Sequence, residues 1–501
     1  MTERSTYSDI LRSTSTMGGV AVINLLAGML RTKFAAVLIG ASGVGLLANF
    51  NATQVFVSMI TGVGLQSSAV RAIAEASARK GDSDMARVVT ALRRLCWVTG
   101  SLGAIAVFIL SPLLSQFAFG SHRYRWHIAA LGLVVLMGNI TGGRSAVLQG
   151  TRRIRELATV QLLTAGLATA TTIAFYVALG SDGILPGLIT TAAIQLAIAW
   201  KVANKVPIAH SPMLWRDVFS AAAGMLTLGM AFMWNGALNS GVAYLVNILI
   251  TQQINIRAVG IYSAAFSLSG MFVGFILNAM GTDYYPRLTG VNQEPAAMRK
   301  LVNEQTEIGL LLGAPGLLLT LALGPWVVQI FYTREFLDSV QLLQWFTMGC
   351  LARLIAWPLG FILLALGKAK WFFFTETSAQ AVYVGLVFLG LKLFGVEGVA
   401  IAFLGMYIIY VGLVYLTAKM LIDFAWSRGA LSVMSTSVPL CVISFLAARS
   451  TSAVAGTTIG LGLTTLSAVL SIRLLVRRLG AEHRIVKIAF QIPGIRILCK
   501  A

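Results

Sequence analysis

The chain of 501 residues is 57% hydrophobic and only 11% charged, with a formal charge of +20 from 38 Lys and Arg against 18 Asp and Glu. That balance excludes an ordinary soluble globular domain and leaves a polytopic membrane protein. Apolar residues run continuously instead of alternating, which excludes an outer-membrane barrel.

A spanning helix needs about 20 mainly apolar residues. Fourteen such stretches follow one another, centred near residues 28, 55, 106, 138, 168, 193, 235, 269, 318, 353, 382, 408, 439 and 464. The expected fold is all-α, with two six-helix lobes over 1–210 and 211–420, an extra helix pair over 421–480 and a basic cytoplasmic tail over 481–501. The polar start, MTERSTYSDILRSTST, leads into a first span interrupted by Arg31 and Lys33, so no cleavable signal peptide is expected. With both termini in the cytoplasm, most of the Lys and Arg fall in cytoplasmic segments, as the positive-inside rule requires. The positive charge therefore reports topology and affinity for anionic membrane lipids, and no nucleic acid partner is expected. Four basic residues remain inside predicted spans: Arg31, Lys33, Arg144 and Arg353.

In the first span Asn24, Gly28 and Arg31 share one helical stripe. A charge at mid-membrane costs about 2.5 to 3.5 kcal/mol, so Arg31 faces either a polar cavity or a buried ion pair. Lys33 lies about 200° further round, towards either the cavity or the outer interface. GASGVG, from Gly40 to Gly45, lacks the Lys-Ser/Thr of a phosphate loop and reads as a tight turn. Cytoplasmic loops are expected over 67–94, 201–216 and 283–304, each too short for a folded catalytic domain of about 50 residues. Arg144, in the fourth span NITGGRSAVLQG, sits nearer the cytoplasmic end, where it either meets substrate or snorkels. Asn235 and Asn239 share a face of the seventh span; such amides bind sugar hydroxyls or join helices. Arg353 precedes Trp357 and Pro358 in the tenth span, lining a cavity or making a structural ion pair. Glu376, Gln380 and Tyr383 fall at i, i+4 and i+7 on one face of the eleventh. There Glu376 either binds a coupling H⁺ or Na⁺, pairs with a membrane arginine or is exposed at the interface. The four His and four Cys show no metal-ligand spacing, so no metal, no other cofactor and no catalytic site are expected.

Sliding the chain against itself exposes a repeat. Asn24 meets Asn239, Val44-Gly45-Leu46 meets Val259-Gly260-Ile261, and Asp182-Gly183 meets Glu397-Gly398, all at an offset of 215; Gly150 meets Gly367 at 217. The offset spans six predicted helices, an even number, so the two lobes run parallel, an arrangement suited to alternating access.

The opening RSTSTMGGVAVINLLAGMLRTKFAAVLIGASGVGLLANF, with its Arg31-Thr32-Lys33 run and GVGL turn at Gly43–Leu46, resembles the first two helices of a known family. So does AVLQGTRR at Ala146–Arg153. The family is the Wzx-like polysaccharide (O-antigen and exopolysaccharide) flippases of the multidrug/oligosaccharidyl-lipid/polysaccharide superfamily of exporters. The resemblance implies six-helix bundles around a cavity and a polyprenyl-diphosphate-linked oligosaccharide moved across the bacterial inner membrane. It implies cations at the diphosphate: Arg31 by position, with Arg353, Arg144 and Lys33 nominated by chemistry. Asn24, Asn235, Asn239, Gln380 and Tyr383 are the candidate sugar and cavity contacts. The repeat partner of Arg31 is Val246, which departs from a symmetric clamp. The last two helices, present in some relatives, are expected to offer a groove for the polyprenyl tail. Membrane lipids, a polysaccharide polymerase and chain-length or export proteins are the candidate partners. A drug or organic-cation antiporter of the same superfamily is disfavoured by four cations to one carboxylate within the spans. A membrane-embedded polymerase or glycosyltransferase is disfavoured by short outer loops.

Overall fold

The computed structural model describes residues 3–78, 82–208 and 211–479, so the basic tail over 481–501 lies outside the described residues. Fifteen α-helices follow in chain order: α1 (Glu3–Leu38), α2 (Gly40–Thr61), α3 (Leu65–Ala78), α4 (Asp82–Phe119), α5 (Arg125–Gly150), α6 (Ile154–Leu179), α7 (Ile184–Ala203) and α8 (Trp215–Gln253). They continue with α9 (Ile256–Gly290), α10 (Pro295–Phe331), α11 (Ser339–Ala365), α12 (Ala369–Phe394), α13 (Glu397–Ile422), α14 (Arg428–Ser450) and α15 (Ala453–Leu479). No strand occurs among the described residues. Among the described residues, thirteen helical stretches are long and apolar enough to cross a membrane; one of them, Ile154–Ala203, holds both α6 and α7. This is a multi-pass, all-α membrane protein.

The repeat is written into the helix ends. α6 and α12 begin and end at positions related by the 215 offset, and the one-turn 3-10 helices His122–Tyr124 and Arg334–Phe336 occupy matching places. Before α6 and α12 the chain makes the same turn twice. Arg153 N–H donates to Leu148 O and Lys368 N–H to Leu363 O, each at 2.9 Å. The left-handed residue is Arg152 (φ 55°) in one turn and Gly367 (φ 66°) in the other. The equivalence at this turn is therefore Arg152 with Gly367; the offset of 217 aligned the two glycines and missed that the conserved feature is the backbone dihedral, which an arginine also adopts here. The first six long helices match α8 to α13, and α14 and α15 are the extra pair. α3 has no counterpart.

Between helices in lipid, attraction comes from close packing of small residues, and the repeat supplies it. A Cβ on Gly45 would collide with Ile256 O, and one on Gly260 with Ala41 O. Both pairs are related by 215, so equivalent positions touch reciprocally, as a local two-fold produces.

Two compact units are present, Met1–Gly260 and Ile261–Ala501. Unit 1 extends past residue 210 because α8 packs on α2, α3 and α4. The expected loop over 67–94 is mostly helix. α2 breaks at Gly62–Gly64, where Val63 (φ 48°) and Gly64 (φ 60°) are left-handed, and resumes as α3. The small step Gly229 on α8 lets the broken turn approach, since its Cβ would strike Val63 O. Leu65, Ala69 and Ile73 form the stripe that α3 buries against α4, α5 and α8. Helix also fills most of 283–304, which holds the end of α9 and the start of α10. In unit 2, Tyr284 and Leu288 of α9 pack with Leu359 of α11 and Val414 of α13. Ser427 caps α14 through Ala430 N–H and donates to Glu307 on α10, a buried carboxylate that the sequence reading placed outside its spans.

Candidate functional site

Within unit 1, Arg31 lines a polar cavity of about 360 Å³. Asn24 and Arg31 enter it from α1, as their shared stripe predicts. α6 brings Leu157, Val160, Gln161, Thr164 and Ala165, one face at helical spacing. Ser145 and Gln149 enter from α5, Gln195 from α7, and Gln66 from the first turn of α3 beyond the break. Arg31 makes no ion pair among the described residues, and its Nε, like Thr164 Oγ1, is buried with no hydrogen-bond partner. A guanidinium without a counterion, ringed by four glutamine amides, suits an anion that carries hydroxyl-rich groups, because arginine forks onto phosphate oxygens and amides both donate and accept. Gln66 also lines a second cavity of about 270 Å³ at the broken turn, with Gln54, Ser58 and Asn139.

The structure separates the other sequence candidates. Lys33 is half-buried and is not among the residues lining the Arg31 cavity. Arg144, expected at the diphosphate, is 6% exposed and occupied elsewhere. Its Nη1 donates to Asn204 Oδ1 at 2.7 Å, and its guanidinium stacks 3.9 Å over the Trp200 ring. Asn235 and Asn239 are exposed on α8 and joined to each other, Asn239 Nδ2 donating to Asn235 Oδ1 at 3.0 Å.

Arg353, Glu376, Gln380 and Tyr383 belong to unit 2. Tyr410 donates a short hydrogen bond to Glu376 Oε1. Tyr407 lies within electrostatic reach of both Glu376 and Arg353, its ring 6.3 Å from that of Tyr410. Arg353 is half-buried and makes no salt bridge among the described residues, so the expected alternative of a structural ion pair at Arg353 does not form there. Gln380 is half-buried, whereas Tyr383 is 6% exposed and packs on Phe403 as core. An apolar cavity of about 490 Å³ opens between α11, α13 and α14, walled by Leu351, Ile355, Ile408, Val438 and Val442.

The repeat relates the two loci. Gln161 and Gln195 of the Arg31 cavity are 215 residues before Glu376 and Tyr410. One repeat holds an open amide cavity with a cation; the other closes the same place with a phenol–carboxylate bond. The sequence reading missed Gln66, Gln149, Gln161 and Gln195, although applying the offset to Glu376 points directly to Gln161.

A sequence family described as polysaccharide biosynthesis protein matches residues 36–341. Among curated proteins, the chain is similar to lipid III flippases of Escherichia coli K12 and Shigella flexneri, each 23% identical over 402 residues, covering 78% of this chain and 94% of theirs. Among solved structures it resembles the lipid II flippase MurJ in an inward closed conformation, with a TM-score of 0.67, 12% identity and coverage of 94% and 99%. It also resembles an inward-facing multidrug resistance MATE family transporter, with a TM-score of 0.69, 12% identity and coverage of 83% and 96%.

Proposed function

Since the chain belongs to the polysaccharide biosynthesis protein family, we propose that it flips a polyprenyl-diphosphate-linked oligosaccharide repeat unit for O-antigen or exopolysaccharide synthesis. The observation that carries this reading is the counterion-free Arg31 among amides in the unit 1 cavity. There the diphosphate meets Arg31, and the sugars adjoining it meet Gln66, Gln149, Gln161 and Gln195. The polyprenyl tail stays in hydrocarbon, with the apolar cavity of α11, α13 and α14 as its groove. Parallel six-helix repeats supply the two-sided frame for alternating access. Arg353, half-buried and without a salt bridge among the described residues, is the candidate cation within unit 2. Glu376 carries a coupling H⁺ or Na⁺, released or bound as its Tyr410 hydrogen bond opens and closes. The location is the bacterial inner membrane with both termini cytoplasmic, where polymerase and chain-length proteins receive the product.

An antiporter of organic cations needs a carboxylate facing its substrate, and the Arg31 cavity presents the opposite charge. Purified protein in vesicles tests the choice. The proposal expects movement of a labelled polyprenyl-diphosphate oligosaccharide between leaflets and no gradient-driven uptake of ethidium. Ethidium uptake without lipid movement rejects it.

A further inference from the structure

Unit 1 holds a second cation cluster, Arg144 buried and Arg93 half-buried, that the Arg31 cavity does not use. It sits where α4 begins and where α5 and α7 finish. Arg144 of α5 lies over the ring of Trp200 of α7, 3.9 Å from its centroid, and is hydrogen-bonded to Asn204. Arg93 of α4 lies within electrostatic reach of Arg144, and its Nε is buried with no hydrogen-bond partner. Neither arginine forms a salt bridge among the described residues, so two neighbouring guanidiniums lack an anion. Trp97, one turn beyond Arg93, meets Trp200 edge-on at 6.4 Å and is 46% exposed. Paired tryptophans beside cations mark the headgroup level of a bilayer.

From that cluster one helical stripe continues along α4 and one along α5. Trp97, Ala104 and Phe108 follow Arg93 at helical spacing, and Leu133 and Trp126 align with Arg144 on α5. Further along the same stripes lies an apolar cavity of about 490 Å³ lined by Ala104, Phe108, Leu133 and Trp126. From Arg93 to Ala104 the helix rises about 16 Å at 1.5 Å per residue, roughly half of a bilayer core of ~30 Å. That is the depth to which one acyl chain descends from its headgroup.

We propose that the paired faces of α4 and α5 bind an anionic phospholipid, its phosphate between Arg93 and Arg144 and one acyl chain lying past Trp97 with its end in the cavity at Ala104 and Leu133. The two arginines supply charge complementarity, the tryptophans the interfacial depth and the cavity the fit for a chain end. This site is separate from the Arg31 cavity, which Ser145 and Gln149 face from α5. It stands whichever substrate the transporter carries.

The full chain, stripped of lipid and reconstituted with phosphatidylglycerol and phosphatidylcholine in equal amounts, is analysed by native mass spectrometry for retained lipid. Selective retention of phosphatidylglycerol is expected. It should fall roughly tenfold or more in the double variant Arg93→Gln/Arg144→Gln, and also in Leu133→Trp, which fills the cavity from an exposed position. Arg31→Gln should retain the lipid as the parent does. Equal retention of both lipids overturns the proposal, as does phosphatidylglycerol retention unchanged in Leu133→Trp. Loss of the lipid to inorganic phosphate alone assigns a free-phosphate site and overturns it too, as does its replacement by a polyprenyl diphosphate at equal mole fraction. Thermal melting of each variant separates lost binding from lost fold.

Discussion

Arg31 and Arg144 looked alike in the sequence: each a lone cation in an apolar run. Their surroundings make them different residues. Arg31 has an orphaned Nε in a cavity of amides, whereas Arg144 is held by an indole face and an asparagine. Helical phase was enough to place Asn24 with Arg31, because both belong to one helix. The partners of Arg144 are 56 and 60 residues away in the chain, on Trp200 and Asn204, and no local pattern announces them. The four glutamines of the Arg31 cavity come from four helices, which is why single-span reading overlooked them. Tyr383 shows the converse limit: its i+7 spacing from Glu376 is correct, yet the side chain turns into core against Phe403. Glu376 is the proposed coupling residue, held by Tyr410. Glu376→Gln keeps a hydrogen bond from Tyr410 and removes the charge, so gradient-driven flipping should fall to the passive rate while substrate still binds. Flipping rates measured with and without pH or Na⁺ gradients check this, and an undiminished gradient response removes Glu376 from the coupling role.

Helices pair through features that the amino-acid pattern shows only in part. The offset of 215 was visible in Gly45 and Gly260, but not that the two glycines meet. A Cβ at either position strikes a carbonyl oxygen of the other helix, and overpacking of this kind costs about 1 to 3 kcal/mol. Gly45→Ala and Gly260→Ala should each lower the melting temperature, and the double variant should cost less than the sum because both clashes are relieved by one helix shift. Additive losses would place the two clashes in independent contacts. Continuous apolar runs made the spans legible, whereas the polar composition of 67–94 concealed α3, whose buried stripe depends on α4, α5 and α8 as partners. The groove of α11, α13 and α14 is likewise a product of packing. Ile408, 59% exposed on its wall, permits a filling test. Ile408→Trp should raise the KM for a long polyprenyl carrier severalfold and leave a short-chain analogue unaffected; equal effects on both would place the tail elsewhere.

For the whole molecule, the fold was readable because the bilayer restricts a spanning chain to a few architectures and a duplicated sequence reveals its own period. Function was readable to the level of the family, through the first span and the turn at Ala146–Arg153. What the repeat does not preserve is the charge at the site. Gln161 and Gln195 in one repeat correspond to Glu376 and Tyr410 in the other, and Arg31 corresponds to the buried Val246. Such asymmetry fits a carrier in which one repeat handles an anionic substrate and the other an ion. The central claim is that Arg31 carries the diphosphate across. Losing a charge-assisted hydrogen bond costs about 1.5 to 3 kcal/mol, or roughly ten- to a hundredfold in rate. In cells relying on this chain, a leaflet-resolved assay of lipid-linked oligosaccharide is the direct measurement. Arg31→Ala should trap the lipid in the cytoplasmic leaflet, and Arg31→Lys should export it partially. Export by Arg31→Ala at the parent rate, with equal protein in the membrane, would contradict the account.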